Sequence, residues 1–220
     1  MRRANFLLYI ALIIILPISI VLLSGNIVLR VSETYVYHFN DSQVVEEVGS
    51  YVSGNEFAKS ITGYFNKPGK DEFQVYEENG EFRDPIFEEK EISVMSRAKT
   101  IMTLTLFTGI ILFGAGIAIY IYLAGTEDKG TLRFMGIATM IVSLVEIIAS
   151  GVLLGRQSVR TMLYNRFIGI ELGKDSALHI LLSSPFEKSF IIFSSVLAVA
   201  ITAVFLYIHI SVTKEKRLFS

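Results

Sequence analysis

The chain has 220 residues, 52% of them hydrophobic and 19% charged, with a formal net charge of -1 and a mean hydropathy of +0.53. A near-neutral chain offers no global basic field to nucleic acid, and the lack of any cysteine removes disulfides, thiolate metal sites and cysteine nucleophiles. Three histidines are too few for a histidine-rich metal centre, and nothing in the sequence calls for a cofactor.

The apolar excess lies in blocks, which is what a bilayer selects. Crossing ~30 Å of hydrocarbon takes about 20 apolar residues in a helix, because each backbone N–H and C=O must bond within its own segment. The first block runs from about Phe6 to Leu29. Arg2 and Arg3 precede it as they would a signal peptide, but it is longer than an h-region and no small-x-small site follows, so it reads as an uncleaved anchor.

Residues 31–98 then form an acidic insertion that reads as folded. Ser53 and Glu56 have capping-box spacing ahead of Phe57, Ile61 and Phe65, an i, i+4, i+8 apolar stripe. Lys67-Pro68-Gly69 stops that helix. Phe73 and Val75 alternate with polar residues, and Asn79-Gly80 signals a hairpin turn. Asp84-Pro85 predicts another helix start, with proline at the first helical position and Glu88 and Glu89 near the positive end of its dipole. Ile92, Met95 and Met102 keep helical spacing, so this helix is expected to run on into the second span, Ile101 to Ala124.

The third span covers Leu132 to Leu154 and the fourth Phe190 to Val212, with a shorter outer element at 155–188 whose Leu163, Phe167 and Ile170 suit a membrane surface. The expected fold class is an α-helical membrane protein: four transmembrane helices with a small α+β extracytoplasmic insertion between the first two. The expected layout is residues 1–30 as transmembrane helix 1, 31–98 as the cap, and 99–220 as helices 2–4 with the second extracytoplasmic segment at 155–188. Short-flank basic residues (Arg2 and Arg3, Lys129 and Arg133, Lys214, Lys216 and Arg217) place both termini in the cytoplasm of a multi-pass cytoplasmic-membrane protein. Arg156, Arg160, Arg166, Lys174 and Lys188 argue the other way, but they are spread out and mixed with Glu171, Asp175 and Glu187. Tyr9, Tyr120, Tyr122 and Tyr207 fall at the proposed inner interface.

Several residues could carry chemistry. Glu146 is an intramembrane carboxylate, which needs a partner or a proton; it reads as an acid bonded to a neighbouring helix or as the polar floor of an outward-facing cleft. Arg156 and Arg160, spaced i, i+4, with Arg166 beyond, match phosphate oxygens at headgroup level, the plain reading being interfacial snorkelling. His38 and His179 fall on the outer side and could act as general bases, although a lone interfacial histidine more often packs. His209 belongs to the inner end of the fourth span. Gly151 and Gly155 form a GxxxG pattern that would allow close helix approach. No Walker-type loop, GxSxG or HExxH occurs.

The element order, with Phe87-Glu88-Glu89-Lys90-Glu91, Met95 and Pro185-Phe186-Glu187, resembles the bacterial integral membrane family of lipoprotein intramolecular transacylases. The resemblance implies an outer-leaflet site where an acyl chain passes from the glyceryl group on a lipoprotein's N-terminal cysteine to that cysteine's amino group. Such chemistry needs a base near the amine and stabilisation of a tetrahedral oxyanion. In the family pattern a histidine precedes the methionine, an aspartate follows two positions after it, and a second histidine comes after the third span. Here Glu91 and Met95 match, but those positions hold Val94 and Arg97, and the second histidine falls near Arg166. The resemblance therefore implies a protein that acts on or binds membrane lipid or a lipoprotein substrate, with Glu91 and either His38 or His179 as the catalytic candidates. The alternative is a non-enzymatic interaction or assembly protein whose acidic cap binds a partner protein.

Overall fold

The structure is a computed structural model that describes residues 3–41, 44–48, 52–69, 72–79, 82–173, 175–182 and 184–214. In chain order the elements are α1 (Arg3–Leu29), α2 (Ser32–Asp41), α3 (Val44–Glu47), α4 (Gly54–Asn66), β1 (Tyr76–Asn79), β2 (Phe82–Pro85), α5 (Glu89–Thr126), α6 (Lys129–Gly155), α7 (Gln157–Phe167), α8 (Ala177–Leu181) and α9 (Ser184–Thr213). Helices α1, α5, α6 and α9 contain the four apolar blocks and are long and apolar enough to cross a membrane. The chain is a four-span helical membrane protein with a small α+β insertion. The 38 residues of α5 run unbroken, about 57 Å at 1.5 Å per residue, nearly twice a hydrocarbon core.

Local chemistry sets the insertion's elements. Ser53 caps α4 in a complete capping box: its Oγ accepts from Glu56 N–H, and the Glu56 carboxylate accepts from Ser53 N–H at 3.0 Å. Lys67 ends the helix ahead of Pro68. The hairpin pairs β1 with β2 in the register Tyr76↔Pro85, Glu77↔Asp84, Glu78↔Arg83, Asn79↔Phe82, and its turn at Gly80 lies outside the described residues. Phe73 and Val75 are buried, but the strand begins only at Tyr76.

Three sequence readings need correction. Asp84 and Pro85 do not open a helix; they end β2, and α5 starts at Glu89. Pro85 sits in a pair that exchanges no hydrogen bonds, because Ile86 N–H donates to Val75 O at 3.0 Å one step further on, so its missing N–H costs the ladder nothing. Second, Arg156 and Arg160 do not share one helix leaving the third span: the backbone is extended at Arg156 (φ -82, ψ 121), which caps a separate helix, α7. Third, Gly155 is not a close-approach position, since a Cβ there would meet open space.

The chain divides into two compact units. The first comprises residues 1–24, 105–152 and 194–220, and the second residues 25–104 and 153–193. The first has an aliphatic core of Leu12, Leu16, Ile20, Leu123, Leu132, Met135, Met140 and Ile147, with Tyr120. The second buries an aromatic core of Tyr35, Phe39, Phe57, Tyr64, Phe65, Phe73, Phe87 and Phe186. Most ring pairs there meet edge-on or tilted, as at Phe57–Phe87 (6.2 Å) and Phe73–Phe87 (4.8 Å), an arrangement that ring quadrupoles favour, while Tyr35 and Phe186 stack.

Candidate functional site

The polar centre of the second unit is Glu91. Its side chain is only 3% exposed, yet every bond it makes stabilises a carboxylate. Oε2 accepts Glu88 N–H at 2.7 Å, closing the first turn of α5 as the third-residue arm of a capping box does. Oε1 accepts the Ser176 hydroxyl at 2.6 Å and Leu178 N–H at 2.8 Å. Ser176 is the N-cap of α8 and its Oγ takes His179 N–H at 3.3 Å. One carboxylate thus ties together the starts of two helices 85 residues apart in sequence.

His179 is carried on α8, anchored through its backbone with its ring exposed. His38 sits on α2, buried, its ring against Phe39 (5.6 Å) and Phe186 (5.8 Å). Among the described residues neither Glu91 nor His179 bonds to His38. Tyr35, one turn before His38, stacks on Phe186 at 5.0 Å and donates its hydroxyl to Leu29 O at 2.9 Å. Burial pushes that hydroxyl's pKa far up, with nearby Arg30 opposing the rise. Val94, where the resemblance expects a histidine, is buried among apolar residues at 5% exposure.

The arginines divide by what they hold. Arg160 is committed: its guanidinium donates to Leu154 O (2.8 Å) and Gly155 O (2.9 Å) and pairs with Glu187 at 2.8 Å. It thereby caps the end of α6 and fixes α7 to the start of α9. Arg156 and Arg166 are exposed, and among the described residues their guanidinium groups have no partner. Arg97, exposed on α5, donates to Ile168 O. That carbonyl lies just before Gly169, whose positive φ of 63° ends α7 with its N–H on Tyr164 O at 3.0 Å.

Lys99 gave no sequence signal. It is 9% exposed on α5, with no hydrogen-bond or ion-pair partner among the described residues, and its Nζ stands 4.3 Å from the centre of the Tyr64 ring. Glu146 belongs to the first unit, partly exposed on α6, and takes no hydrogen bond from a neighbouring helix among the described residues. A buried polar bridge of that unit is His209, whose Nδ1 lies 2.8 Å from Tyr120 Oη and Nε2 3.3 Å from Arg133 O. A carbonyl can only accept, so Nε2 carries the proton and Nδ1 accepts from the tyrosine. The ring fits because residue 136 is glycine: a Cβ there would lie 2.2 Å from it.

The sequence could not place Ser176, Lys99 or the His209 bridge, because each is defined by partners far along the chain. The only local signal was the Ser176-x-x-His179 spacing of an N-cap.

No protein-family model and no curated protein matches the chain. Among solved structures, its fold matches that of the membrane integral lipoprotein intramolecular transacylase Lit from Bacillus cereus, with a TM-score of 0.74 over 98% of this chain and 99% of that one, at 10% identity.

Proposed function

We propose that this chain, sharing end to end the fold of a lipoprotein-modifying membrane enzyme, binds lipid or lipid-modified protein at the outer leaflet of the cytoplasmic membrane. Both termini are cytoplasmic in this reading, following the basic residues of the short flanks. The observation that carries it is the 98% coverage: the likeness takes in the insertion and the 155–188 element as well as the spans. Arg156 and Arg166, exposed and uncommitted, are the phosphate ligands, while Arg160 positions α7 through Glu187.

The proposal is binding without acyl transfer. A transacylase needs a base beside the amine, and the position that would hold it is Val94, closed into apolar core. Glu91, matched to the family, accepts bonds from Glu88, Ser176 and Leu178, so its carboxylate is engaged in fastening α8. The test is mass spectrometry of lipoprotein N-terminal peptides from a bacterium lacking its own N-acylating enzymes, with and without this gene. Unchanged peptides are expected, with phospholipid co-purifying with the parent protein and reduced in the Arg156→Ala, Arg166→Ala double variant. An acyl chain gained by the cysteine amine and lost from the glyceryl unit would overturn the non-catalytic reading and make His38, His179 and Glu91 the residues to substitute first. Undiminished lipid in the double variant would remove the arginine site.

A further inference from the structure

Among the described residues, strand β1 has a free side. The register makes Glu77 and Asp84 the pair that exchanges hydrogen bonds, so the N–H and C=O of Tyr76 point away from β2. Among the described residues no strand pairs there, and neither backbone group of Tyr76 has a partner. Its side chain is also 53% exposed. An open edge with an exposed aromatic is a feature that soluble domains usually blunt or cover.

This edge borders a cleft of about 570 Å³, within the size range of ligand-binding clefts. One wall is the face of α4 that carries Glu56 and Ser60, one turn apart; the other is residues 74–77, with Arg83 of β2 nearby. Four consecutive residues along one wall mean that the chain presents its edge to the cleft, since a strand face would show only alternate residues. Gln74 leaves that edge accessible because its side-chain amide is used inward, bonding both N–H and C=O of Phe87 at 3.2 and 3.1 Å.

Charge selects the occupant. The cleft has Glu56 and Glu77 against Arg83, and one oxygen of Glu56 is left over after its capping bonds. Residues 31–98 carry 14 acidic and 6 basic side chains. A second copy of this acidic strand would be repelled, as would an anionic headgroup, whereas lysine or arginine would be attracted.

We propose that this cleft binds an extended, lysine- or arginine-bearing peptide segment, which adds as a strand to the free edge of β1 at Tyr76. The proposal goes beyond lipid binding: it assigns the polypeptide part of a partner and needs no acyl chain.

The test uses the full chain in detergent micelles and a fluorescent ten-residue peptide of alternating lysine and valine, with an alternating glutamate–valine peptide as counterpart. Fluorescence anisotropy should show salt-sensitive binding of the first and at least about tenfold weaker binding of the second. Tyr76→Pro deletes an N–H that β2 does not use, so the hairpin should persist while affinity falls about tenfold. Ser60→Trp, which fills the opposite wall without touching the strand, should block binding and guards against a Tyr76→Pro protein that does not fold. Equal affinity for both peptides, no binding by the parent, or full affinity in Ser60→Trp or folded Tyr76→Pro would each overturn the proposal. Because the probes carry no lipid, failure here leaves the lipid-binding reading standing, and its failure leaves this one.

Discussion

The two units solve the burial of polar groups in different ways. The second gathers eight buried aromatic rings into its core and turns Glu91, the deeply buried carboxylate among its described residues, into a three-donor clamp. The first, built from long apolar helices with exposed residues such as Phe134 and Tyr207, bonds several buried serine and threonine hydroxyls to carbonyls of their own helix. Thr139 reaches Met135 O at 2.9 Å, Ser143 reaches Thr139 O at 3.0 Å and Thr202 reaches Ala198 O at 2.9 Å. Its links between helices include the His209 bridge, which ties α9 to α5 and α6, and buried Asn5 of α1, whose amide donates to Thr126 at the end of α5 and to Glu127. Expulsion from water holds the second unit together, whereas hydrocarbon is as apolar as leucine, so helices within it must be matched by fit and by specific bonds.

The comparison breaks first at Glu91. Glu91→Leu strands Glu88 N–H, Leu178 N–H and the Ser176 hydroxyl. At about 1–3 kcal/mol per buried unsatisfied group, a loss of roughly 3–5 kcal/mol is expected. Chemical denaturation in detergent measures it, and faster amide exchange over residues 177–181 would show α8 coming loose. Unchanged exchange there would mean that the clamp is ornamental.

Gly136→Ala probes the first unit in the same way. A methyl group 2.2 Å from the His209 ring forces the bridge apart, for about 1–3 kcal/mol. The thermal midpoint should fall, and adding His209→Ala should cost less than the sum of the two single changes, since both act on one contact. Strict additivity would count against the bridge.

Much of this layout was legible in the sequence, because strong local rules wrote it. The spans follow from the bilayer's demand on backbone bonds, and Ser53 with Glu56 announces α4 within four residues. The failures came where a local signal met a longer-range competitor. Asp84-Pro85 has the composition of a helix start, but pairing with Tyr76 claimed it for a strand. Arg156 and Arg160 have helical spacing, yet the backbone breaks at Arg156, and Arg160 turns back onto the carbonyls of residues 154 and 155. Glu91 was singled out through a family likeness, but its fastening role depends on Ser176 and Leu178, which nothing near it in sequence predicts.

The smallest expected effect has the opposite sign. Lys99 gains about 0.5–2 kcal/mol from the Tyr64 ring, but an ammonium withdrawn from water without hydrogen bonds gives up several kcal/mol. Lys99→Met keeps the chain length and removes the charge, so the thermal midpoint should rise by the equivalent of about 1 kcal/mol. A fall would show that the cation–ring contact outweighs desolvation, and would make Lys99 part of the aromatic core's cohesion.

Gly136 and His209 have a meaning for descent as well as for stability. The imidazole occupies the volume that any other residue at 136 would need, so neither position is free to drift alone. A lineage that acquired alanine at 136 would have had to shrink or lose the histidine first, and one that lost the histidine would leave a void that invites a larger residue at 136. Across related sequences the two positions should therefore change together, as a pair 73 residues apart that inherits as one unit.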